Sequence, residues 1–197
     1  WHTWQRLKGL PVIEQRVEHD RADGRVDRWL EVIERHGPSR GLAVEVGCAH
    51  GLLLAELKKR DYDCIGVEVD EEVAAWVQGT MDIDMRVGLF PYIELPTCDL
   101  FLAFDVLEHS LHPKEFMCEA ANLLKPRGIV IIQTPIDRHS NEPPFRSMFD
   151  NIFDDVEHNY IFSSESIWRI GEVAGLEIIA EAKGVIDTDT IAFRRKS

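Results

Sequence analysis

Short apolar runs alternate with segments of helical spacing along most of the chain. The predicted strands among them lie at 42–46, 62–69, 81–87, 99–104 and 129–133. The predicted helices between them lie at 52–60, 71–78 and 114–124. Strands that alternate with helices in this way form right-handed βαβ units, which build a parallel sheet. This alternation constrains the fold more than any other feature of the sequence.

The end of the chain breaks the alternation. A helix is predicted at 164–174, with Ser163 or Ser164 as its cap, and strands are predicted at 176–182 and 188–194. Only the short connection 184–187 separates these two strands, so we expect them to form an antiparallel hairpin. The whole pattern predicts an α/β fold: a doubly wound, Rossmann-like, seven-stranded sheet, mostly parallel with a C-terminal antiparallel hairpin.

The 197 residues suffice for one domain. Residues 21–36 are predicted to form one helix, stopped by Gly37-Pro38. We therefore divide the chain into an N-terminal extension or lid (1–20) and a single domain (21–197), with a substrate-lid insertion at about 135–160. The chain begins with Trp1 rather than Met, which leaves open that it is a fragment.

The net charge of the chain limits the kinds of partner that it can bind. The chain carries 22 Lys and Arg against 35 Asp and Glu, a net charge of −13, which opposes binding to nucleic acid or to an anionic membrane surface. No apolar run approaches the ~20 residues of a membrane span. Four widely spaced cysteines without a CxxC pair indicate reduced thiols and a cytoplasmic protein. The sequence leaves the oligomeric state open.

A loop with two glycines follows the first predicted strand. It reads Glu45-Val46-Gly47-Cys48-Ala49-His50-Gly51, and Glu68 follows 21 residues after Gly47 at the end of the next strand. The loop lacks the G-x-G-x-x-G spacing of a dinucleotide site, and a carboxylate at its start is poorly placed beside a pyrophosphate. Glu68 is positioned to accept both ribose hydroxyls, and Asp70 to cap the next helix. These residues favour a nucleoside ligand that carries positive charge.

Several motifs in their order resemble class I S-adenosylmethionine-dependent methyltransferases of the ubiquinone-biosynthesis type, over roughly residues 22–195. Beside the glycine loop and Glu68, the matching segments are Asp99–Leu102, Phe104–His109 with its "LEH" run, Leu123–Gly128, His158–Ser164 and Gly175–Glu177. The sequence departs from the family at Ala49 and Arg127, which replace glycines, and at Arg86–Phe90, which lacks an acidic residue for the adenine.

The resemblance implies S-adenosylmethionine as cofactor, and transfer of its methyl group to a small-molecule acceptor. We expect O-methylation, with N- or C-methylation left open. Glu45, Glu68 and Asp105 would suit the sulfonium with negative charge, and Leu89 would pack on the purine. The full set of expected cofactor residues is Glu45, Gly47, Cys48, Ala49, Gly51, Glu68, Val69, Leu89, Asp105 and Val106.

Catalysis is expected from histidine, which titrates near neutrality and can accept the proton of a hydroxyl acceptor. His109 is the first candidate, with His158 and Tyr160 beside it. A structural hydrogen bond for His109 and a helix-capping or solvent-facing position for Glu108 remain alternatives. His50 is expected to be exposed on the glycine loop.

A metal site is a further alternative. Some ubiquinone-type and small-RNA methyltransferases bind a divalent cation through an E-x-x-E-H run, which Asp105, Glu108 and His109 resemble, with His158 as a later ligand. Because the LEH run also occurs in metal-free relatives, no metal is favoured. A non-catalytic S-adenosylmethionine-binding module and a nicotinamide or nucleotide-sugar enzyme remain the other classes. The acceptor site is assigned to 1–20 and 135–160.

Overall fold

The computed structural model describes residues 13–137, 158–183 and 188–196. This part of the chain contains six α-helices and seven strands. The helices are α1 (Ile13–Ala22), α2 (Arg25–His36), α3 (Leu52–Lys58), α4 (Glu71–Met81), α5 (Pro113–Asn122) and α6 (Ser164–Val173). The strands are β1 (Gly41–Val46), β2 (Tyr62–Glu68), β3 (Asp84–Val87), β4 (Cys98–Phe104), β5 (Leu124–Pro135), β6 (Leu176–Lys183) and β7 (Thr188–Arg195). A 3-10 turn, Leu107–His109, follows β4.

The seven strands form one sheet in the order β3-β2-β1-β4-β5-β7-β6. The first five strands are parallel to one another, and β7 is antiparallel to both β5 and β6. The predicted α/β fold with its antiparallel terminal pair is therefore confirmed. The strand order reverses direction between β1 and β4, and a crevice forms at such a point beyond the carboxyl ends of the strands.

Helices cover both faces of the sheet. Neighbouring residues of β4 point to opposite faces: Phe101 belongs to the core that includes Phe116 of α5 and Ile167 of α6. Leu100 belongs to the core on the other face, with Leu30 of α2. Both cores consist of buried apolar side chains, and because such interiors are closely packed, the sheet is a rigid support for the loops at its carboxyl edge.

The helix predicted over 21–36 is wrong in its extent, because two helices meet there. Gly24 has a left-handed φ of 71° between α1 and α2, and the backbone N–H of Arg25 donates to Asp23 Oδ1 at 2.7 Å. Helix α1 also crosses the predicted boundary at residue 20, and its Ile13 and Val17 join the core. This part of the N-terminal segment is thus packed against the domain.

Two strands differ from their predicted extents by more than one residue. Strand β3 begins at Asp84 rather than at 81, because α4 continues to Met81 and ends on Asp82 in a left-handed conformation. Strand β5 begins at Leu124 rather than 129, and its pairing with β4 jumps from Leu124 to Ile129. The intervening residues 125–128, where a turn was predicted, instead form an irregular, bulged part of the strand.

No helix in the ranges that the structure describes is long and apolar enough to cross a membrane.

Candidate cofactor site and active site

A cavity of about 600 Å³ opens at the carboxyl ends of β1, β2 and β4. Nine of the ten expected cofactor residues line it; the tenth, Gly51, does not. Gly51 is the N-cap of α3 and has a φ of 67°, and a Cβ there would lie 2.7 Å from Val77 Cγ1. Its contribution is therefore the close packing of α3 against α4, which shapes the loop beside the cavity.

The glycine loop turns tightly because three of its residues have positive φ. Gly47 has a φ of 67°, and a Cβ on it would lie 2.5 Å from Val106 Cγ2, so glycine is required there. Ala49 has a φ of 44°, which is strained for a residue with a side chain. The backbone N–H groups of Gly47 and Cys48 donate to the carbonyl of Val67, which ties the loop to β2.

Glu68 accepts hydrogen bonds from three backbone N–H groups. Its Oε2 accepts from Ala49 at 3.0 Å, and its Oε1 accepts from Val69 at 2.8 Å and Asp70 at 3.1 Å. Burial raises the pKa of Glu68, and these bonds oppose the rise. A carboxylate has about four acceptor positions. Three backbone N–H groups and two ribose hydroxyls are five donors, so two of these donors would have to share one acceptor position.

Glu45 lies next to Glu68 and is buried, with 4% of its surface exposed. Its Oε2 has no hydrogen-bond partner in the described part of the chain. Burial, together with the nearby charge of Glu68, raises the pKa of Glu45 to about 8. A buried carboxyl oxygen without a partner is costly, and a ligand that brings a positive group to the cavity relieves that cost.

Asp105 reaches the cavity from the turn after β4, where its φ is 56°. Its Oδ1 accepts a hydrogen bond from Gln133 Nε2 at 2.9 Å. Burial raises the pKa of Asp105, while the Gln133 N–H and the positive charge of Arg25 oppose the rise. With Glu45 and Glu68, Asp105 places a third acidic group on the cavity wall.

Four further lining residues come from the first two helices and were missed in the sequence. They are Asp20 on α1 and Arg25, Val26 and Trp29 on α2. The ring of Trp29 stacks on Phe104 with centroids 4.3 Å apart. The spacing of Trp29 with other apolar residues indicated core packing, and no local signal placed it beside a strand end far away in the chain.

The expected exposure of His50 is wrong. Its side chain is only 3% exposed, because α1 and α4 cover it. Its Nδ1 lies 4.0 Å from Asp20 Oδ2, and its ring meets Trp76 edge-on at 6.5 Å. His50 therefore connects the glycine loop to the first helix.

The candidate catalytic residues meet beside the 3-10 turn. The rings of His109 and His158 are 4.6 Å apart, and His109 lines the cavity whereas His158 and Tyr160 lie outside its lining. The backbone N–H groups of Asn159 and Tyr160 donate to the carbonyl of Glu108, and the Tyr160 hydroxyl donates to the carbonyl of Leu111. These bonds hold residues 158–160 against the LEH segment.

Glu108 is buried, with 1% of its surface exposed, so the solvent-facing alternative does not apply. Its Oε2 accepts from the Thr134 hydroxyl at 3.0 Å. Its Oε1 and the Nδ1 of His158 have no hydrogen-bond partner within the described ranges. Burial, with the charge of Asp105, raises the pKa of Glu108 to about 8. One possible ligand atom each from Glu108, His109 and His158 lies within 4.8 Å of the others, and Asp105 is not part of this group.

Part of the expected acceptor site lies outside the described residues, namely 1–12 and 138–157.

The strand order, the glycine loop and the acidic cavity together define a class I S-adenosylmethionine-dependent methyltransferase. The chain belongs to a methyltransferase domain family whose profile matches residues 17–181, and S-adenosylmethionine is its cofactor.

Two curated relatives agree with this family. A probable S-adenosylmethionine-dependent methyltransferase of Mycolicibacterium smegmatis is 31% identical over 141 residues, covering 68% of this chain and 51% of the relative. A ubiquinone biosynthesis O-methyltransferase of Maricaulis maris is 32% identical over 108 residues, covering 49% of this chain and 42% of the relative. The chain thus spans about half the length of these relatives.

A solved structure shows the same fold. A crystal structure of an S-adenosylmethionine-dependent methyltransferase from Clostridium acetobutylicum superposes with a TM-score of 0.67, at 11% identity, over 87% of this chain and 91% of that one. At this identity, the likeness supports the sheet and its helices but no residue role.

Proposed function

We propose that this chain transfers a methyl group from S-adenosylmethionine to a hydroxyl oxygen of a small-molecule acceptor, in the cytoplasm. The observation that carries the proposal is the buried carboxyl oxygen of Glu45, which has no hydrogen-bond partner among the described residues, in a cavity that Glu68 and Asp105 also line. Such a wall attracts a ligand with sulfonium and ammonium groups and repels a pyrophosphate. The free state of all four cysteines is consistent with a reducing compartment.

Different residues of the cavity would bind different parts of the donor. Glu68 would hold the ribose hydroxyls, while Glu45 and Asp105 would face the cationic end. Leu89, which is 60% exposed at the rim, would cover the purine. When bound, S-adenosylmethionine supplies a carbon already activated for displacement. The protein then has to orient the acceptor and keep water away. Such positioning can lower the activation barrier by several kcal/mol, up to about 7–11 kcal/mol.

We assign to His109 the role of the base that accepts the proton of the acceptor hydroxyl. This residue lines the cavity at the end of β4, and His158 stands behind it. Tyr160 is less suited to the chemistry, because its hydroxyl donates to the Leu111 carbonyl away from the cavity. The similarity to a named O-methyltransferase supports oxygen as the accepting atom.

Isothermal titration calorimetry with S-adenosylmethionine, S-adenosylhomocysteine and NAD tests the donor. We expect both sulfur compounds to bind and NAD not to bind. The variant Glu68→Ala should weaken binding at least tenfold, since hydrogen bonds to a charged group contribute about 1.5–3 kcal/mol. The exposed Glu94→Ala is the matched control. Binding of NAD alone would overturn the proposal, and unchanged affinity of Glu68→Ala would remove Glu68 from the site.

A metal-assisted form of the same reaction is the second candidate. It is favoured by the group of Glu108, His109 and His158, and by Glu108 Oε1 and His158 Nδ1, two buried atoms without a hydrogen-bond partner in the described ranges. Carboxylate and imidazole suit Mn²⁺ or Mg²⁺. Such an ion would orient the acceptor oxygen beside the cavity.

Electron paramagnetic resonance of added Mn²⁺ tests this candidate without any acceptor. We expect bound Mn²⁺ in the wild type and at least tenfold weaker binding in Glu108→Gln, because one anionic ligand is lost. The exposed His112→Gln is the control. Equal binding by all three proteins would mean that the ion binds elsewhere, and absence of binding would leave the metal-free reaction.

A further inference from the structure

We infer that Gln133 is the residue that positions Asp105 in the cofactor cavity, and that Trp29 and Thr190 fix the direction of its side-chain amide. The inference deepens the proposed function and rests on it, because the role of Asp105 is to face the cationic end of the donor. Gln133, Trp29 and Thr190 stand on three different elements, β5, α2 and β7, that converge at the turn after β4.

The direction of the amide follows from donor chemistry. The Trp29 Nε1–H can only donate, and it donates to Gln133 Oε1 at 2.8 Å. The Thr190 hydroxyl donates to the same oxygen at 3.1 Å. The amide nitrogen therefore faces Asp105 and donates to its Oδ1 at 2.9 Å. A reversed amide would place two N–H groups against each other and an oxygen against the carboxylate.

Gln133 holds Asp105 through the main chain as well. The backbone N–H of Asp105 donates to the carbonyl of Gln133 at 3.0 Å. This second bond supports a residue whose φ of 56° is uncommon for any amino acid except glycine. One residue thus fixes both the backbone and the carboxylate of Asp105.

Trp29 is itself held in place by the strand that ends at this turn. Its ring stacks on Phe104, the residue directly before Asp105, at an interplanar angle of 23°. The indole N–H is thus aimed at Gln133 by packing that does not depend on the hydrogen bond. The other charged and titratable groups that act on Asp105 are Arg25, Glu108, His109 and His158. Gln133 differs from these four because it holds Asp105 by two direct hydrogen bonds, one to the carboxylate and one from the backbone N–H.

The donor affinity of matched variants tests the inference by calorimetry. Gln133→Leu should weaken S-adenosylmethionine binding about tenfold, since it removes a bond to a charged group. Trp29→Phe keeps an aromatic ring that can stack on Phe104, although a smaller one, and removes the indole N–H; it should weaken binding about threefold to fivefold. In the double variant the loss should equal that of Gln133→Leu alone, because Trp29 acts through Gln133.

A second pair of variants does not disturb the cavity wall. Thr190→Val removes the hydroxyl and should weaken binding about threefold, whereas Thr190→Ser keeps it and should bind like the wild type. Trp168→Phe, on the exposed face of α6, is the control for a tryptophan substitution. Melting temperatures are measured for each variant, so that a general loss of stability is separated from a loss of affinity.

The outcomes separate the two proposals. Additive losses from Trp29→Phe and Gln133→Leu would mean that Trp29 contacts the donor directly, and they would overturn the inference. Equal affinity of wild type, Gln133→Leu and Thr190→Val would also overturn it, with the proposed function intact. Failure of the wild type to bind S-adenosylmethionine would instead overturn the proposed function. If Gln133→Leu does not fold, the Thr190 pair decides alone.

Discussion

Among single residues, Glu45 shows how the site depends on protonation. Its pKa of about 8 lies above its ordinary value of 4.5. The folded chain without ligand therefore binds a proton here that the unfolded chain releases. The resulting stability is fully present below about pH 4.5 and is lost as the pH rises through about 8. A cationic ligand favours the ionised form, so its binding expels that proton.

The variant Glu45→Gln separates the two effects. Without ligand, the melting temperature of Glu45→Gln should fall less between about pH 5 and 8 than that of the wild type, because the glutamine does not ionise. Calorimetry should show wild-type affinity for S-adenosylmethionine rising over the same interval and a flatter profile in the variant. Because the ligand's own amine titrates near this range, the variant is also the control for it. Identical profiles would show that Glu45 does not titrate with binding.

The same scale shows what a sequence can reveal about a site. Glu45 and Glu68 were placed correctly at strand ends, because the glycine loop and strand periodicity fix those positions locally. Gln133 was not recognised, because its importance arises from Trp29 and Thr190, which lie 104 and 57 residues away. A polar residue in an apolar strand was the one signal available for it.

Among the elements, helix ends were predicted better than helix continuity. Asp70 accepts from the N–H groups of Glu72 and Val73, and Ser163 forms a capping box, both as expected from side chains that cap locally. The break at Asp23-Gly24 was missed because the apolar stripe of α2 masked this turn signal. The apolar periodicity predicted one continuous helix, but the positive φ of Gly24 ends α1 before α2 begins.

The irregular first part of β5 carries a testable strain. Arg127 stands where the family pattern has glycine, and its φ is 71°. A left-handed conformation costs a residue with a side chain roughly 1–2 kcal/mol, of which about 0.4–1 is offset by the lower entropy of its unfolded chain. We therefore expect Arg127→Gly to raise the free energy of unfolding by about 0.5–1 kcal/mol in chemical denaturation. Arg127→Ala removes the same exposed side chain without relieving φ and should bring no gain; equal gains in both variants would exclude strain as the cause.

At the scale of the whole molecule, the sheet was predictable except for the placement of its last two strands. Adjacent runs with a short connection indicate an antiparallel pair but not which strand is inner. Burial distinguishes them: Asp189–Phe193 of β7 is continuously buried between two strands, whereas in β6, at the edge, Leu176 alone is buried. The charged residues Glu177, Glu181 and Lys183 of β6 were the available sign of an edge strand.

The net charge of −13 also acts at this scale. S-adenosylmethionine carries a net charge of +1, whereas S-adenosylhomocysteine lacks the sulfonium and is neutral overall. The long-range field of the protein attracts only the first, and salt screens that field within about 10 Å at 0.1 M. Raising the salt from about 0.05 to about 0.5 M should therefore weaken S-adenosylmethionine binding about twofold to threefold and leave S-adenosylhomocysteine nearly unchanged. Titration of both ligands against Glu45→Gln separates the general field from the local carboxyl group, because the variant keeps nearly all of the charge. An equal effect of salt on both ligands would mean that the acidic surface does not contribute to donor binding.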